Sequence, residues 1–192
     1  MLEKAKEFFK DFTFLGPKEL FLLGTIIKLK HVAKGDFILK EGQYNYNAIR
    51  VIHGLLCHYV ISQNGEEKTL LFVPENNFSG SLQCTINRKP SDEYIVALEN
   101  SLLLMFDIRE LENHAYKNLG ILKMIDQSRK QIILEAAVRI RFLIAHSPEE
   151  RYLQFTATYP NLEQRIKQKD LASFLGITVS SLSRIRARLA KS

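Results

Sequence analysis

The sequence predicts an α+β fold in which a β-rich region precedes a long helix and a pair of short helices. Between His31 and about Ile108, short runs rich in Val, Ile, Leu and aromatic residues alternate with turn residues. From Leu111 to Ala145 the chain has no proline and a single glycine, Gly120, which favours one long helix. Near the end of the chain, apolar residues recur at helical spacing on both sides of Gly176.

The N-terminal segment, from Leu2 to about Leu29, is predicted to be helical. Two apolar stripes separated by Gly16-Pro17 support this: Phe8, Phe9, Phe12 and Leu15, then Leu20, Leu22, Leu23, Ile26 and Ile27. Charged residues interrupt the first stripe, so we expect no signal peptide. No apolar run reaches the roughly 18 residues of a membrane span. We therefore expect a soluble, cytoplasmic protein with no membrane partner.

The β-rich region is divided by turn signals at Gly35, Gly42, Asn64-Gly65 and Pro74. An Asn-Gly pair between two strand-like runs is a strong hairpin signal, so a hairpin is expected at Asn64-Gly65. Short strands that follow one another without helices between them are typical of a β-sandwich or barrel.

The long helix has an apolar edge that is formed by Leu119, Leu122, Ile125, Ile132, Ala136, Ile140 and Leu143. If the whole segment is helical, it spans roughly 50 Å, which is more than one small barrel covers. A second copy of the chain would cover the remainder, and the alternative is packing wholly within one chain. Ser147 and Pro148, followed by two acids, are then expected to start a further helix that ends near Tyr159-Pro160.

The stretch from Gln168 to Leu189 has the spacing of a helix-turn-helix. Its first helix has a buried stripe at Leu171, Ala172 and Leu175, and its second helix has one at Leu182, Ile185 and Leu189. Gly176 suits the left-handed conformation that ends a helix. Thr178 offers a hydroxyl to cap the next helix.

The outer face of the second helix is rich in hydroxyls and arginines. Ser180, Arg184 and Arg188 are four residues apart and are expected along one exposed line, with Ser181, Ser183 and Arg186 nearby. No acidic residue occurs from Thr178 onward. Arginines in this position can bind guanine edges or phosphates. The alternative is an ordinary amphipathic helix pair with a basic face.

Charge is distributed unevenly along the chain. The formal net charge is +6, of which residues 1–110 contribute −1 and residues 111–192 contribute +7. Because residues 1–110 are nearly neutral and residues 111–192 are basic, we predict a polyanionic partner for residues 111–192.

Several other chemistries are not expected. Two distant cysteines, Cys57 and Cys84, cannot supply an iron–sulfur or zinc framework and are interpreted as small buried hydrophobes. No His-x-His pair, glycine-rich phosphate loop or nucleophile elbow occurs. We therefore expect no metal, no cofactor and no enzymatic activity. Haem sensing through His53, Cys57 or His58 stays open but is less favoured, since lone residues on strands more often belong to the core or the surface.

This order of elements resembles the cyclic-AMP receptor protein/FNR superfamily of bacterial transcription regulators. The resemblance is carried by KQKDLASFLGITVSSLSRIRARL and by the barrel glycines, Gly35, Gly42, Gly54, Gly65 and Gly80. It implies a cyclic-nucleotide-binding-like jelly-roll barrel in residues 1–110, a dimerisation helix in 111–145 and a helix-turn-helix DNA-binding domain in 146–192. It further implies a homodimer with two recognition helices in successive major grooves of double-stranded DNA.

The resemblance also assigns DNA-binding residues. Val179, Ser180 and Arg184 occupy the base-reading positions, and Ser181 and Ser183 lie beside them. Family members usually continue into a β-hairpin wing, whereas this sequence stops at Ser192. A larger share of the phosphate binding is therefore expected from Gln168, Lys169, Arg186 and Arg188. The expected affinity is modest and depends steeply on salt.

The segment that binds cyclic AMP in such regulators departs from the family pattern here. Gly80 is retained, but Ser81 replaces a glutamate that holds the ribose. Ser91 and Asp92 occupy the positions of an Arg-Ser pair that binds the phosphate. Asp92 would repel a phosphate, whereas Arg88 in the nearby loop leaves cyclic-nucleotide binding open. The predicted effector pocket comprises Gly80, Ser81, Leu82, Ser91 and Asp92, and we expect an effector other than cyclic AMP, or none.

Two functions follow from these observations. The first is a homodimeric, sequence-specific DNA-binding regulator, for which RNA polymerase is a further candidate partner although no residues for that contact can be recognised. The alternative is an effector-binding or interaction module with a vestigial helix-turn-helix. The acid-free recognition helix favours the first function.

Overall fold

The computed structural model describes residues 12–190 of the chain. These residues belong to two compact units. The first comprises the chain up to Cys57 together with Phe72–Gln131, and the second comprises His58–Leu71 and the chain from Ile132 onward. Because this grouping cuts across the expected boundaries at residues 110 and 145, the three-part division into sensor, dimerisation helix and DNA-binding domain stays a prediction.

The described strands form two four-stranded sheets, with the orders β1-β8-β3-β6 and β2-β7-β4-β5. The strands are β1 (Lys28–Val32), β2 (Phe37–Leu39), β3 (Asn47–His53), β4 (Leu56–Ile61), β5 (Glu67–Val73), β6 (Phe78–Ser79), β7 (Tyr94–Ala97) and β8 (Ser101–Asp107). Strand β8 pairs antiparallel with both β1 and β3, so that Leu103 faces Lys30 on one side and Val51 on the other. This arrangement confirms the expected β-sandwich.

The interior of the sandwich is packed with aliphatic side chains. Ile49, Val51, Ile95 and Leu103 are fully buried and belong to one apolar cluster. The turn that follows β3 depends on Gly54, which has a φ of +97° and whose Cβ, if present, would lie 2.8 Å from the Cα of Ser101. A side chain at this position is therefore excluded both by the backbone conformation and by the close approach of the chain. The expected hairpin at Asn64-Gly65 connects β4 to β5, with Gly65 at a φ of +79°.

The described α-helices are α1 (Pro17–Ile26), α2 (Leu82–Thr85), α3 (Ile108–Ala115), α4 (Leu119–Ala145), α5 (Pro148–Thr158), α6 (Leu162–Arg165), α7 (Gln168–Leu175) and α8 (Val179–Leu189). None of these helices is long and apolar enough to cross a membrane.

Two expectations about helix boundaries are corrected. The N-terminal helix ends at Ile26 and β1 begins at Lys28, so the predicted helix was too long at its C-terminal end. The predicted start of that helix, with Phe8 and Phe9, lies outside the described residues. Strand β6 was not predicted, and helix α2 between β6 and β7 corrects the expectation that no helix separates the strands. The segment from Leu111 to Ala145 is not one helix, because the chain is interrupted between α3 and α4.

Asn118 accounts for the interruption between α3 and α4. Its side-chain oxygen accepts a hydrogen bond from the backbone N–H of Ile121 at 3.1 Å, and its side-chain nitrogen donates to Glu19 on α1 at 2.9 Å. Asparagine is favoured at the capping position immediately before a helix for this reason. The new start anchors the first turns of α4 in the first unit, where Ile121 and Met124 are buried against Leu23 and Phe106 in one cluster.

Candidate nucleic-acid interface

The turn between α7 and α8 has the conformation that the sequence predicts. Gly176 adopts the left-handed conformation, with φ 68° and ψ 36°. The backbone N–H of Ile177 donates to the carbonyl oxygen of Ala172 at 3.0 Å, and Ala172 is buried. The hydroxyl of Thr178 accepts a hydrogen bond from the N–H of Ser181 at 3.1 Å, which caps α8. Gly176 in the turn, the cap at Thr178 and the small residue Ala172 therefore together fix the angle between α7 and α8.

The inner faces of the two helices are buried as predicted except at Leu189, which is half-buried. Leu171, Leu175 and Leu182 have no exposed surface. An aromatic pair continues this core, since the rings of Phe155 on α5 and Phe174 on α7 lie 5.6 Å apart. With one face of α8 fixed in this way, its opposite face is presented outward.

That outer face carries most of the residues predicted to contact DNA. Ser180, Ser183 and Arg184 are exposed, and Val179 exposes 45% of its surface. The Nε of Arg184 donates to the carbonyl oxygen of Ser180 at 3.3 Å, which orients the guanidinium along the helix. Among the described residues, Arg184 pairs with no carboxylate. Ser181 is half-buried, and its hydroxyl accepts from that of Thr178 at 3.0 Å, so it belongs to the cap.

Arg186 differs from the exposed position that was expected for it. It is half-buried and forms an ion pair with Glu163 on α6, and its guanidinium lies 5.8 Å from the ring centre of Tyr152 on α5. The hydroxyl of Tyr152 donates to the same carboxylate at 3.0 Å. Arg186 thus connects α8 to the rest of the second unit, and its predicted phosphate contact would require that ion pair to open.

Arg188 is exposed, but it also has an acidic partner. Its guanidinium pairs with Glu149 in the first turn of α5. The absence of acids within the recognition helix therefore does not make every arginine a free cation, because carboxylates from α5 and α6 reach two of them. Sequence reasoning missed these acids because they lie far from α8 along the chain.

The N-terminal end of α7 carries Gln168 and Lys169, and both are exposed as predicted. The Nζ of Lys169 lies 2.9 Å from the carboxylate of Glu67 on β5. This hydrogen bond raises the pKa of Lys169. Glu67 is a further residue that sequence reasoning missed, since nothing in the β-rich region indicates that its hairpin reaches the helix-turn-helix.

Arg139 on α4 is a half-buried cation at this site that sequence reasoning missed. It donates from Nη2 to the carbonyl oxygen of Phe174 at 2.6 Å, and its guanidinium lies 3.8 Å from the centre of the Phe174 ring. Burial lowers the pKa of Arg139 to about 10. Arg139 therefore connects α4 to the C-terminal end of α7.

The residues of the predicted effector pocket lie in the first unit, and their polar groups are hydrogen-bonded to neighbouring residues. Ser81 is buried, and its carbonyl oxygen accepts from the hydroxyl of Thr85 at 2.8 Å. The hydroxyl of Ser91 donates to the carbonyl oxygen of Glu93 at 2.8 Å. Asp92 accepts a hydrogen bond at 3.1 Å from Gln83, which brings the two predicted segments together.

Gly80, Leu82 and the neighbouring Arg88 are the remaining residues of the predicted effector site. Gly80 has a φ of +148°, and a Cβ there would lie 3.0 Å from the carbonyl oxygen of Asn47. Leu82 exposes 44% of its surface. Arg88, the cation that left cyclic-nucleotide binding open, pairs with Glu112 on α3.

Comparisons with known proteins agree with this fold. Residues 29–116 match the family model of the cyclic nucleotide-binding domain. The chain is 25% identical to the fumarate and nitrate reduction regulatory protein of Vibrio cholerae, over 93% of this chain and 75% of that protein. FixK2 from Bradyrhizobium japonicum has the same fold, with a TM-score of 0.74 and 15% identity over 86% of this chain and 85% of that one. A CRP/FNR-family transcriptional regulator from Thermus thermophilus gives a TM-score of 0.65 and 20% identity, over 85% and 86%.

Fold and site together define a regulator in which a sensor-type β-sandwich precedes a helix-turn-helix. Residues 29–116 match the cyclic nucleotide-binding domain family, and nearly the whole chain is similar to FNR-type transcription regulators. The resemblance that was drawn from the sequence is thereby confirmed.

Proposed function

We propose that the protein binds a twofold-symmetric operator as a homodimer and reads its sequence mainly through Ser180 and Arg184. One observation carries this proposal: Ser180 and Arg184 are joined side by side on the exposed face of a helix whose other face is buried. A guanidinium in this position can donate two hydrogen bonds to a guanine edge in the major groove. The small hydroxyl beside it allows close approach.

The proposed dimer uses the second half of α4. Ile133, Ile140 and Ile144 expose 66%, 58% and 79% of their surface. Their spacing of seven and four residues places them along one stripe of the helix, as in the seam of a coiled coil. Three exposed isoleucines in line are costly in water, and a second copy of the same helix would bury them.

The proposed effector is not cyclic AMP. The hydroxyls that replace the family's nucleotide-binding side chains are already hydrogen-bonded within the protein, and Asp92 adds a negative charge where a phosphate would lie. A phosphate needs unpaired N–H groups and a cation. The sandwich therefore responds to a different small molecule or acts without one.

Selection of bound sequences from random duplex DNA tests the proposal. The expected result is an inverted repeat whose half-sites are about one helical turn apart. Binding without any enriched sequence, together with elution from a duplex-DNA column at the salt concentration of an unrelated protein of charge +6, would instead support the vestigial helix-turn-helix.

A further inference from the structure

The hairpin formed by β4 and β5 contacts the first helix of the helix-turn-helix within the second unit. The backbone N–H of Thr69 donates to the hydroxyl of Ser173 on α7 at 2.8 Å. One turn earlier on α7, Lys169 pairs with Glu67 of the hairpin at 2.9 Å. These two contacts fix the hairpin along one side of α7, from its first turn to its last.

The first turn of α7 is also where a DNA phosphate would be expected. In helix-turn-helix proteins the first helix crosses the DNA backbone. The N-terminal end of a helix carries partial positive charge and favours anions. Lys169 adds a full positive charge at this end. The carboxylate of Glu67 therefore pairs with the same ammonium group that a phosphate of the operator would use.

We propose that Glu67 competes with the DNA backbone for Lys169, so that the β4–β5 hairpin lowers the affinity of the protein for DNA. The inference rests on the DNA-binding role argued above and adds to it a residue of the β-sandwich that sets affinity. Opening the Glu67–Lys169 pair frees one cation for a phosphate. Any event that withdraws the hairpin from α7 would then strengthen DNA binding.

The surroundings of Glu67 support competition rather than a purely structural role. Burial raises the pKa of Asp170, the residue after Lys169, and the charge of Glu67 contributes in the same direction. Two carboxylates thus share the N-terminal end of α7. The side chains of Lys169 and Glu67 are 60% and 51% exposed, so the pair is weak in water and can open.

Salt-dependent binding of Glu67→Gln to the selected duplex tests the inference. The expected result is binding two- to fivefold tighter at low salt. The plot of log K against log salt should become steeper by up to about one unit, since one more phosphate contact is made. The matched control is Glu66→Gln, which removes the same charge from the same hairpin but whose partner is Lys68, at 2.6 Å. Its affinity should rise less and its slope should stay unchanged.

The Lys169→Gln variant completes the experiment, made alone and together with Glu67→Gln. If the two residues compete as proposed, Glu67→Gln gains no affinity once Lys169 is replaced. The inference is overturned if Glu67→Gln binds no more tightly than Glu66→Gln, or if its gain persists without Lys169. Failure of the proposed function would look different, because the unaltered protein itself would then bind the duplex no better than random DNA. Melting temperatures of all variants show whether the fold is retained.

Discussion

The guanidinium of Arg139 lies against the last turn of α7, where it donates to the carbonyl oxygen of Phe174 at 2.6 Å and stacks on the Phe174 ring at 3.8 Å. Carbonyl groups at the C-terminal end of a helix carry partial negative charge, which a cation stabilises. A single side chain of the long helix thus combines a hydrogen bond, a helix-end interaction and a cation–π contact. The contact ties the proposed dimer helix to the DNA-binding motif.

Replacing Arg139 with methionine should destabilise the second unit. The substitution keeps an unbranched apolar stem but removes the donor to Phe174 and the charge at the helix end. We expect a loss of about 1–3 kcal/mol in the free energy of unfolding, measured by urea denaturation. The matched control is Arg141→Met, since Arg141 lies on the same helix and is exposed. Equal effects of the two substitutions would contradict the role given to Arg139.

Arg184→Ala should relax the choice of sequence. Removing the proposed base-reading guanidinium is expected to weaken binding to the selected operator by about 1–3 kcal/mol and to leave random DNA nearly unaffected. Arg188→Ala on the same helix is the comparison. It should weaken all duplexes about equally and by less, because Arg188 is partly neutralised by Glu149. Competition binding with operator and random duplexes measures both effects. If Arg184→Ala leaves the sequence selectivity unchanged, Arg184 does not read bases.

The elements predicted from sequence are those that depend on neighbouring residues. Gly176 and Thr178 determine the turn and cap of the helix-turn-helix through contacts no more than a few positions away. The ion pairs that reduce the positive charge of the DNA-binding site instead join residues that are far apart along the chain. Glu67 and Lys169 are 102 positions apart, and no local pattern indicates that they meet.

The same distinction explains the error at the long helix. Its apolar spacing continues from α3 into α4, so periodicity alone predicts one helix. The break depends on two hydrogen bonds of Asn118, a local one from the N–H of Ile121 and one to Glu19, which is 99 positions away. Gly120 permits this approach, since a Cβ there would lie 3.0 Å from the Glu19 side chain. The sequence signal was present as an asparagine followed by glycine, but its partner was not predictable.

Ile140→Asp should convert the proposed dimer into monomers. The substitution places a charge in the apolar stripe of α4, where burial against a second copy would cost several kcal/mol without a partner. Val138→Asp is the matched control, because Val138 is similarly exposed, at 54%, but lies about 160° away around the helix. Sedimentation analysis should give a monomer for the first variant and a dimer for the second. A dimer that survives Ile140→Asp would place the interface elsewhere.

Millimolar cyclic AMP should not raise the melting temperature of the protein. A ligand that binds the folded state stabilises it in proportion to the logarithm of its concentration over its dissociation constant. Here Asp92 is held by Gln83 within the predicted pocket, and Arg88 is paired with Glu112. Adenosine monophosphate, which lacks the cyclic phosphate, serves as the control nucleotide. A rise that grows with the cyclic AMP concentration but not with that of the control would contradict this prediction.

The start of α5 provides a test of stability that is independent of DNA. Ser147 and Glu150 form a capping box, in which the Ser147 N–H donates to the carboxylate at 2.7 Å and the Glu150 N–H donates to the hydroxyl at 3.3 Å. Ser147→Ala should therefore cost about 1 kcal/mol of the free energy of unfolding.

The Glu150 carboxylate should also make this stability depend on pH. The hydrogen bond from the Ser147 backbone holds the pKa of Glu150 below its usual value. Since the pKa is lower in the folded state, the stabilisation is present above the pKa of the unfolded chain and is lost as the pH falls through the folded-state value. Glu150→Gln should remove this part of the acid dependence, whereas Glu149→Gln, which lies beside it and accepts from Arg188, should alter the contact with α8 instead. Urea unfolding between neutral and acidic pH measures the difference. If Glu150→Gln loses as much stability as the unaltered protein when the pH falls, the carboxylate contributes no stability to the cap.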